Sequence, residues 1–339
     1  MVVRLVPSDR TSAGGDRDSK FALDVRYYLS LEPRQLPSRY LYDELGSSLF
    51  EAICRLPWYP ITRAETRLLI RHGRDILTAV DPLARIIELG CGSGDKLQTL
   101  LDQRTRTGPL DLHLIDVSPS ALAESTRALS GLEQVRVVAH QTTYEAGLGE
   151  LSARGDTPAR TLALFLGSNL GNFDPPGAEE FLREIRTALR PGDFFLLGAD
   201  LVKPEPLVLL AYDDPLGVTA AFNRNLLVRI NRELGGTFDL AAFTHQARWN
   251  GAESRVEMHL TCLRRHTVRV EATELEFTIE EGESIWTESS YKYEPRDLRR
   301  MLGHAGFSPA SHWIDDRDRF ALMLVEAGAG RPEPARTVR

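Results

Sequence analysis

The stretch ELGCGSGDK (88–96) overlaps the end of a short apolar run, RIIEL (85–89), and leads into a helix-like segment from Asp95. Glycines in a turn between a strand and a helix let the backbone approach a ligand closely, and the helix N-terminus offers unpaired N–H groups. A dinucleotide fingerprint needs a third glycine where this chain has Asp95. The stretch therefore predicts a cofactor-binding turn that is not of the dinucleotide type.

Apolar runs continue to alternate with amphipathic segments on both sides of this turn. An amphipathic helix is predicted at 64–79, with an apolar face made of residues at helical spacing: Leu68, Leu69, Ile70, Ile76 and Leu77. Further helices are predicted from Ser118-Pro119 and over 175–189, where a capping side chain or proline marks the start. Further strands are predicted at 110–115, 134–138, 161–166 and 194–197. Strands that alternate with helices at this spacing predict a parallel sheet covered on both faces.

The alternation stops near Lys203. Residues 206–234 have helical character, and residues 239–291 read as antiparallel strands around turns such as Asn250-Gly251, which predicts an inserted α+β unit. A helix over 295–307 and two strands near 310–314 and 320–325 are then expected to return to the first sheet as a hairpin.

These patterns divide the chain into two domains with polar ends. One domain comprises 63–202 plus 291–327, and the second comprises 20–62 plus 203–290. Residues 1–19 and 328–339 are rich in small and polar residues and are expected to be disordered.

Composition excludes several classes of protein. The chain has 339 residues, a net charge of −7 and a pI near 5.7, which argues against a nucleic-acid partner. No apolar run approaches the ~20 residues of a spanning helix, so no membrane association is expected. Three scattered cysteines, eight dispersed histidines and the absence of HExxH, CxxC and GxSxG patterns argue against a metal site and a serine hydrolase. Without a secretory segment at its start, the chain is expected to be cytoplasmic.

The glycine-rich stretch has the pattern acidic-x-Gly-x-Gly-x-Gly, which resembles motif I of class I S-adenosylmethionine-dependent methyltransferases. The resemblance implies an α/β fold with a Rossmann-like parallel sheet, whose inserted α+β domain binds substrate. It also places Glu88 and Gly90 near the methionine part of S-adenosylmethionine. Asp116 ends the second strand, where a carboxylate accepts hydrogen bonds from both ribose hydroxyls.

Longer strings narrow the resemblance to one family. The segments YLYDELGSSLFEAICRLPWYPITRAE (40–65), FLGSNLGNF (165–173), AYDDPLGVTAAFNRN (211–225), RVEMHL (255–260) and WTESSYKY (286–293) resemble the histidine-specific Nα-methyltransferases of ergothioneine biosynthesis. The resemblance runs from about residue 30 to 326. It implies trimethylation of L-histidine to hercynine, a small-molecule reaction for which we expect a monomer.

The resemblance also implies roles for individual residues. Those near the reacting amine are Tyr42 and the carbonyl of Gly167. Those that bind the substrate are Asn172 and Tyr212 at its carboxylate, Glu288 and Ser290 at its imidazole, and Tyr59 and Met258 beside them. Those at the cofactor are Glu88, Gly90, Lys96, Asp116, Thr143 and Tyr144. Thr143 departs from the acid usual in the family, so it supplies no carboxylate for the adenine amino group.

Other interpretations remain open at this point. DPPG (174–177) resembles the motif of nucleobase amino-methyltransferases, but Gly177 replaces the aromatic residue that would stack on a flipped base. The simpler interpretation is that Asp174 caps a helix whose first turn holds the prolines. A methyltransferase acting on another amino acid or amine, and a cofactor-binding regulator without catalysis, are the remaining alternatives.

Overall fold

The computed structural model describes residues 4–7, 19–106, 108–152 and 159–329. The chain folds into two compact units. Unit 1 combines the N-terminal strand with Ile61–Val202 and the residues from Lys292 onward, and unit 2 combines the described residues up to Pro60 with Lys203–Tyr291. These internal boundaries lie within two residues of the predicted ones. The role of unit 2 as a substrate-binding domain stays a prediction.

Strands and helices are numbered along the chain. Those of unit 1 are β1 (Arg4–Pro7), α3 (Pro60–Ala79, which begins at the last residue of unit 2), β2 (Leu83–Leu89), α4 (Asp95–Leu101), β3 (Leu110–Asp116), α5 (Pro119–Leu129), β4 (Val135–Gln141), α6 (Tyr144–Ser152), β5 (Arg160–Phe165), α7 (Pro175–Ala188), β6 (Phe194–Asp200), α10 (Pro295–His304), β12 (Phe307–Asp315) and β13 (Phe320–Ala327).

The described residues of unit 1 form one eight-stranded sheet in the order β1-β4-β3-β2-β5-β6-β13-β12. Strand β13 runs antiparallel to both of its neighbours, whereas the pairs from β1 to β6 are parallel. Strands β2 to β6 read as near-continuous apolar runs because helices cover both faces of the sheet. The predicted parallel sheet and its returning hairpin are therefore confirmed.

Local signals fix the starts of two helices in unit 1. Ser118 accepts a hydrogen bond from the Ala121 N–H with its side chain, and Pro119 begins α5. Asp174 accepts from the Gly177 N–H and caps α7. The DPPG segment is thus a helix cap, which accounts for its residues without a base-stacking role.

Two expectations fail in unit 1. The prediction that residues 1–19 are disordered is wrong for Arg4–Pro7, which form a parallel edge strand beside β4. Apart from Ser19, the other residues of that segment lie outside the described residues, and so do residues 330–339. The strand has four residues, too few for a periodic signal in the sequence. On α3, Leu68 and Leu69 are buried as expected, but Ile70 is 57% exposed because it falls on the far side of the helix.

The elements of unit 2 are α1 (Lys20–Leu29), α2 (Glu44–Arg55), α8 (Glu205–Tyr212), α9 (Val218–Leu234), β7 (Phe243–Asn250), β8 (Arg255–Cys262), β9 (His266–Val270), β10 (Leu275–Ile279) and β11 (Ser284–Tyr291). Strands β11-β8-β7 form an antiparallel sheet, and β9 pairs with β10. Helix α9 lies against α2 and the sheet and buries residues such as Phe222 and Leu226. The predicted α+β composition of the insertion is confirmed.

Candidate active site

The carboxyl ends of four neighbouring parallel strands, β4-β3-β2-β5, carry predicted site residues of unit 1: three at the cofactor, and Gly167 near the reacting amine. Glu88 lies near the end of β2, Asp116 ends β3, Tyr144 follows β4 and Gly167 follows β5. Ligands of open α/β sheets bind beyond the carboxyl ends of the strands, where the strand order reverses. That reversal falls between β2 and β5, so unit 1 gathers these residues at the expected edge.

The glycine-rich turn is shaped for close approach by its backbone. Gly90 has φ of +78°, and a Cβ there would lie 2.8 Å from the Tyr144 Oη and 3.0 Å from the Asn169 Nδ2. Gly94 caps α4 in the left-handed conformation, with φ of +84°. A side chain at Gly90 would be strained and crowded, which agrees with a turn that holds a ligand against its backbone.

Asp116 is tied to this turn. Its Oδ1 accepts from the Ser118 N–H at 2.9 Å. Burial raises the pKa of the Asp116 carboxyl, and backbone hydrogen bonds from residues that include Ser118, Gly92 and Cys91 oppose that rise. The carboxylate therefore stabilises the turn as well as standing where ribose hydroxyls would donate.

Lys96 forms an ion pair that the sequence did not predict. Its Nζ lies 2.7 Å from the Glu65 Oε2, and the Glu65 side chain is fully buried. Both Glu65 oxygens accept from the Gly167 N–H, at 2.9 Å each. Glu65 closes the string at 40–65, and this was the available signal for it. One carboxylate thus touches two predicted site residues.

Glu88 is almost completely buried at the end of β2. Burial raises the pKa of Glu88 to about 8; the charge of Lys96 opposes that rise, while those of Glu65 and Asp116 add to it. A carboxyl that is largely protonated at neutral pH responds strongly to any added positive charge.

Cofactor binding is expected to release a proton from Glu88. The ammonium and sulfonium groups of S-adenosylmethionine would favour the carboxylate, lower its pKa below about 8, and release up to about one proton per site near pH 7. Above about pH 9 the release should vanish, because the free protein is already ionised there. Calorimetric titration in two buffers of different ionisation enthalpy measures it. Glu88→Gln is the control, and equal buffer dependence in both proteins would contradict the assignment.

The predicted adenine end is only partly polar. Thr143 is exposed, and its Oγ1 accepts from the Ala146 N–H at 3.4 Å as α6 begins. The Tyr144 ring lies 5.4 Å from Phe165 and 5.7 Å from Phe181. The tyrosine is therefore anchored in the core of unit 1 with its hydroxyl toward Gly90, and the roles of both residues stay predictions.

The loop after β5 carries the last two predicted residues of unit 1. Gly167 has φ of +79°, and Asn172 ends a short 3-10 turn over Asn169–Asn172. The Ser168 Oγ accepts from the Asp200 N–H at 2.9 Å, and the Tyr293 hydroxyl donates to the Leu170 carbonyl at 3.1 Å. Neighbouring elements thus hold the loop on both sides of its turn.

Unit 2 brings three of the predicted substrate residues onto one face of its sheet. Glu288 on β11 lies directly opposite Met258 on β8, and Ser290 lies opposite Val256. Residues two apart on a strand share a face, so Glu288 and Ser290 point the same way. All three predicted residues are at least nine-tenths buried. A register shift between Trp286 and Glu288 determines which residues of β11 point to this face.

Tyr212 joins the same group. Its hydroxyl donates to the Ser290 Oγ at 2.7 Å, and its ring lies 6.3 Å from that of Tyr59. The Tyr212 carbonyl lies 2.8 Å from the His245 Nε2, while Asn223 Nδ2 lies 3.0 Å from the His245 Nδ1. A carbonyl only accepts, so Nε2 carries the proton, and burial lowers the pKa of His245 to favour that neutral form. Sequence reasoning missed His245 and Asn223, although Asn223 lies in the quoted string at 211–225.

Tyr42 lies in an aromatic cluster of unit 2. Its ring is 5.5 Å from both Phe50 and Phe222, and Phe50 is 6.3 Å from Tyr59. Ring contacts and a hydrogen bond therefore link the predicted residues of unit 2 from Tyr42 to Ser290. Asn172 and Gly167 belong to unit 1 with the cofactor residues.

Neither a metal site nor a membrane-spanning helix is found in the described part of the chain. No group of three or more histidine, cysteine or acidic side chains there is arranged to hold a metal ion. None of the helices in those residues is long and apolar enough to cross a bilayer.

The sheet order, with antiparallel β13 between β6 and β12, and the glycine turn after β2 define a class I methyltransferase fold. A family model described as "Histidine-specific methyltransferase, SAM-dependent" matches residues 21–327. The chain belongs to this S-adenosylmethionine-dependent, histidine-specific methyltransferase family.

Curated relatives agree with the family. The chain is 40% identical over 307 residues to a histidine N-alpha-methyltransferase of Mycobacterium tuberculosis (strain CDC 1551 / Oshkosh), covering 89% of this chain and 93% of that protein. It is 31% identical to ergothioneine biosynthesis protein 1 of Neurospora crassa, over 87% of this chain and 33% of that protein. It is also 28% identical to the L-tryptophan methyltransferase trpM of Psilocybe serbica, over 88% and 89% of the two chains.

Proposed function

We propose that this chain transfers three methyl groups from S-adenosylmethionine to the α-amino nitrogen of L-histidine, giving hercynine in ergothioneine biosynthesis. The observation that carries the proposal is the buried pair Glu288 and Ser290 on one face of β11. Imidazole has one donor and one acceptor nitrogen at a fixed separation. A carboxylate and a hydroxyl side by side match both, and the names of the bacterial relatives support this substrate.

The residues of unit 1 fit the methyl donor. Asp116 would offer a carboxylate to the ribose, Lys96 would offer an ammonium to the methionine carboxylate, and Gly90 would bring its backbone close to the ligand. When bound, S-adenosylmethionine would supply a methyl group on a sulfonium, and the amine lone pair would take that methyl while sulfur keeps the electron pair of the C–S bond.

Orientation of a neutral amine is the main task left to the protein. The α-amino group of a peptide has a pKa of about 7.7–8.0, and that of a free amino acid is higher. The substrate therefore has to lose a proton before it attacks, and the site would have to favour its neutral form. The Gly167 carbonyl would accept an amine N–H, and the Tyr42 hydroxyl would be a hydrogen-bond partner. Asn172 and Tyr212 would bind the carboxylate of the amino acid. Protons displaced in the first two transfers pass to water.

Mass spectrometry of an amino-acid mixture incubated with the protein and S-adenosylmethionine tests the proposal. Histidine is expected to gain three methyl groups, with fragments that place all of them on the α-nitrogen. Ring methylation, or labelling of added DNA in place of histidine, would contradict it. Methylation of a different amino acid would favour the alternative, for which the tryptophan enzyme among the relatives gives a precedent.

We further propose that the chain acts as a cytoplasmic monomer on the free amino acid, with no nucleic acid or membrane partner. The net charge of −7 supports the first exclusion. Light scattering during size-exclusion chromatography measures the mass of the particle in solution. The mass of a dimer would contradict the proposed monomer but not the proposed reaction.

A further inference from the structure

Glu65 is a fully buried carboxylate for which the proposed reaction has no direct task. It lies near the start of α3 and accepts the Gly167 N–H with both oxygens, at 2.9 Å each, while the Lys96 Nζ lies 2.7 Å away. A Cβ at Gly198 would come within 1.9 Å of its Oε1, so the carboxylate fits because residue 198 is glycine. The surrounding strand is therefore shaped around this side chain.

The loop that Glu65 contacts has an unusual backbone. Gly167 and Ser168 both have positive φ, +79° and +62°, and Ser168 is not a glycine. A glycine adopts this conformation freely, but a serine persists in it only where neighbouring groups hold it. The Asp200 N–H donates to the Ser168 hydroxyl oxygen and the Tyr293 hydroxyl donates to the Leu170 carbonyl. Glu65 adds a contact at the start of the turn.

An ion pair whose carboxylate is fully buried is seldom the most stabilising choice, because the cost of desolvating that charge offsets the attraction. A carboxylate here instead joins the predicted cofactor lysine to the peptide group that precedes the predicted amine-binding carbonyl. This arrangement suits orientation better than stability.

We propose that Glu65 is a positioning residue for methyl transfer. It holds the Gly167 peptide and the Lys96 ammonium in fixed positions relative to each other. The inference rests on the proposed function and on the predicted role of the Gly167 carbonyl. Neutral histidine and its monomethyl form carry an amine N–H for that carbonyl, whereas the neutral dimethyl form has none. Loss of Glu65 should therefore slow the first two transfers more than the third.

The test compares Glu65→Gln with the wild type at saturating S-adenosylmethionine, on L-histidine and on Nα,Nα-dimethyl-L-histidine. The initial rate on L-histidine is expected to fall about ten- to a hundredfold, and the rate on the dimethyl form less than about threefold. The ratio of the two rates in one sample does not depend on the fraction of folded protein. The ratio stays interpretable even if the variant is unstable. Glu65→Asp, which keeps the charge on a shorter side chain, is measured in the same way.

The matched control is Asp315→Asn, which removes another ion pair of α3, that with Arg67 at 2.8 Å. It should leave the rate ratio unchanged. Equal losses on both substrates, or no loss in Glu65→Gln, would overturn the inference and leave the proposed function standing. A wild-type protein that methylates neither substrate would instead overturn the proposed function.

Discussion

Glu288→Ala is expected to reduce the efficiency of histidine methylation by about ten- to a hundredfold, because a hydrogen bond to a charged group contributes roughly 1.5–3 kcal/mol. The change also opens space beside Met258 and removes a buried carboxylate that penalises an apolar ring. Tryptophan methylation should therefore gain relative to histidine, and Met258→Ala should add to that shift. Steady-state kinetics with both amino acids measures the change.

A control for this experiment lies one position along the partner strand. Glu257 on β8 pairs with Ser289, so it faces the opposite side of the sheet, where it contacts Arg255 and His259. Glu257→Ala should leave the histidine-to-tryptophan ratio as it is in the wild type. If Glu288→Ala also leaves that ratio unchanged, the pocket assignment fails and the methyltransferase fold remains.

Asp116→Ala is expected to weaken S-adenosylmethionine binding by at least about a hundredfold, because two hydrogen bonds from the ribose to a charged group would be lost. The substitution also removes the carboxylate that accepts a hydrogen bond from the Ser118 N–H. Asp116→Asn keeps an acceptor for that N–H, so it tests the contact with the ribose while the turn stays capped. Its affinity for S-adenosylmethionine is expected to fall by at least about tenfold. Isothermal titration in the presence of a chelator measures both.

Asp111→Asn is the matched control for this prediction. It lies on the same strand β3, near the opposite end, and its carboxylate accepts from Arg136 at 2.9 Å. Its affinity for S-adenosylmethionine should match the wild type. If Asp116→Asn binds as tightly as the control, the ribose assignment is wrong. A wild type that bound NAD but not S-adenosylmethionine would contradict the cofactor itself.

Much of the fold could be predicted because its signals are local. The caps at Ser118 and Asp174, the glycine turn at 88–96 and the Asn250-Gly251 turn act over a few residues, and the structure has each where it was expected. The site residues followed from longer strings, and their roles stay predictions.

The strand at Arg4–Pro7 and the exposure of Ile70 depended on distant partners. A four-residue segment has no readable period, and an isoleucine is buried only if another element covers its side of the helix. The same reason hid His245, whose tautomer is set by the carbonyl of Tyr212, 33 residues away in the chain.

The sequence by itself determined the class of sheet, the position of the cofactor turn and the family, because periodicity, capping residues and glycine patterns are properties of short segments. Tertiary structure alone decided that Glu65 is buried and shared between Lys96 and Gly167. It also decided that Glu288 meets Met258 on one face of the sheet. A glutamate in a sequence reads as a surface residue. Whether it is instead a buried acceptor depends on the N–H and ammonium groups that folding brings to it from other elements.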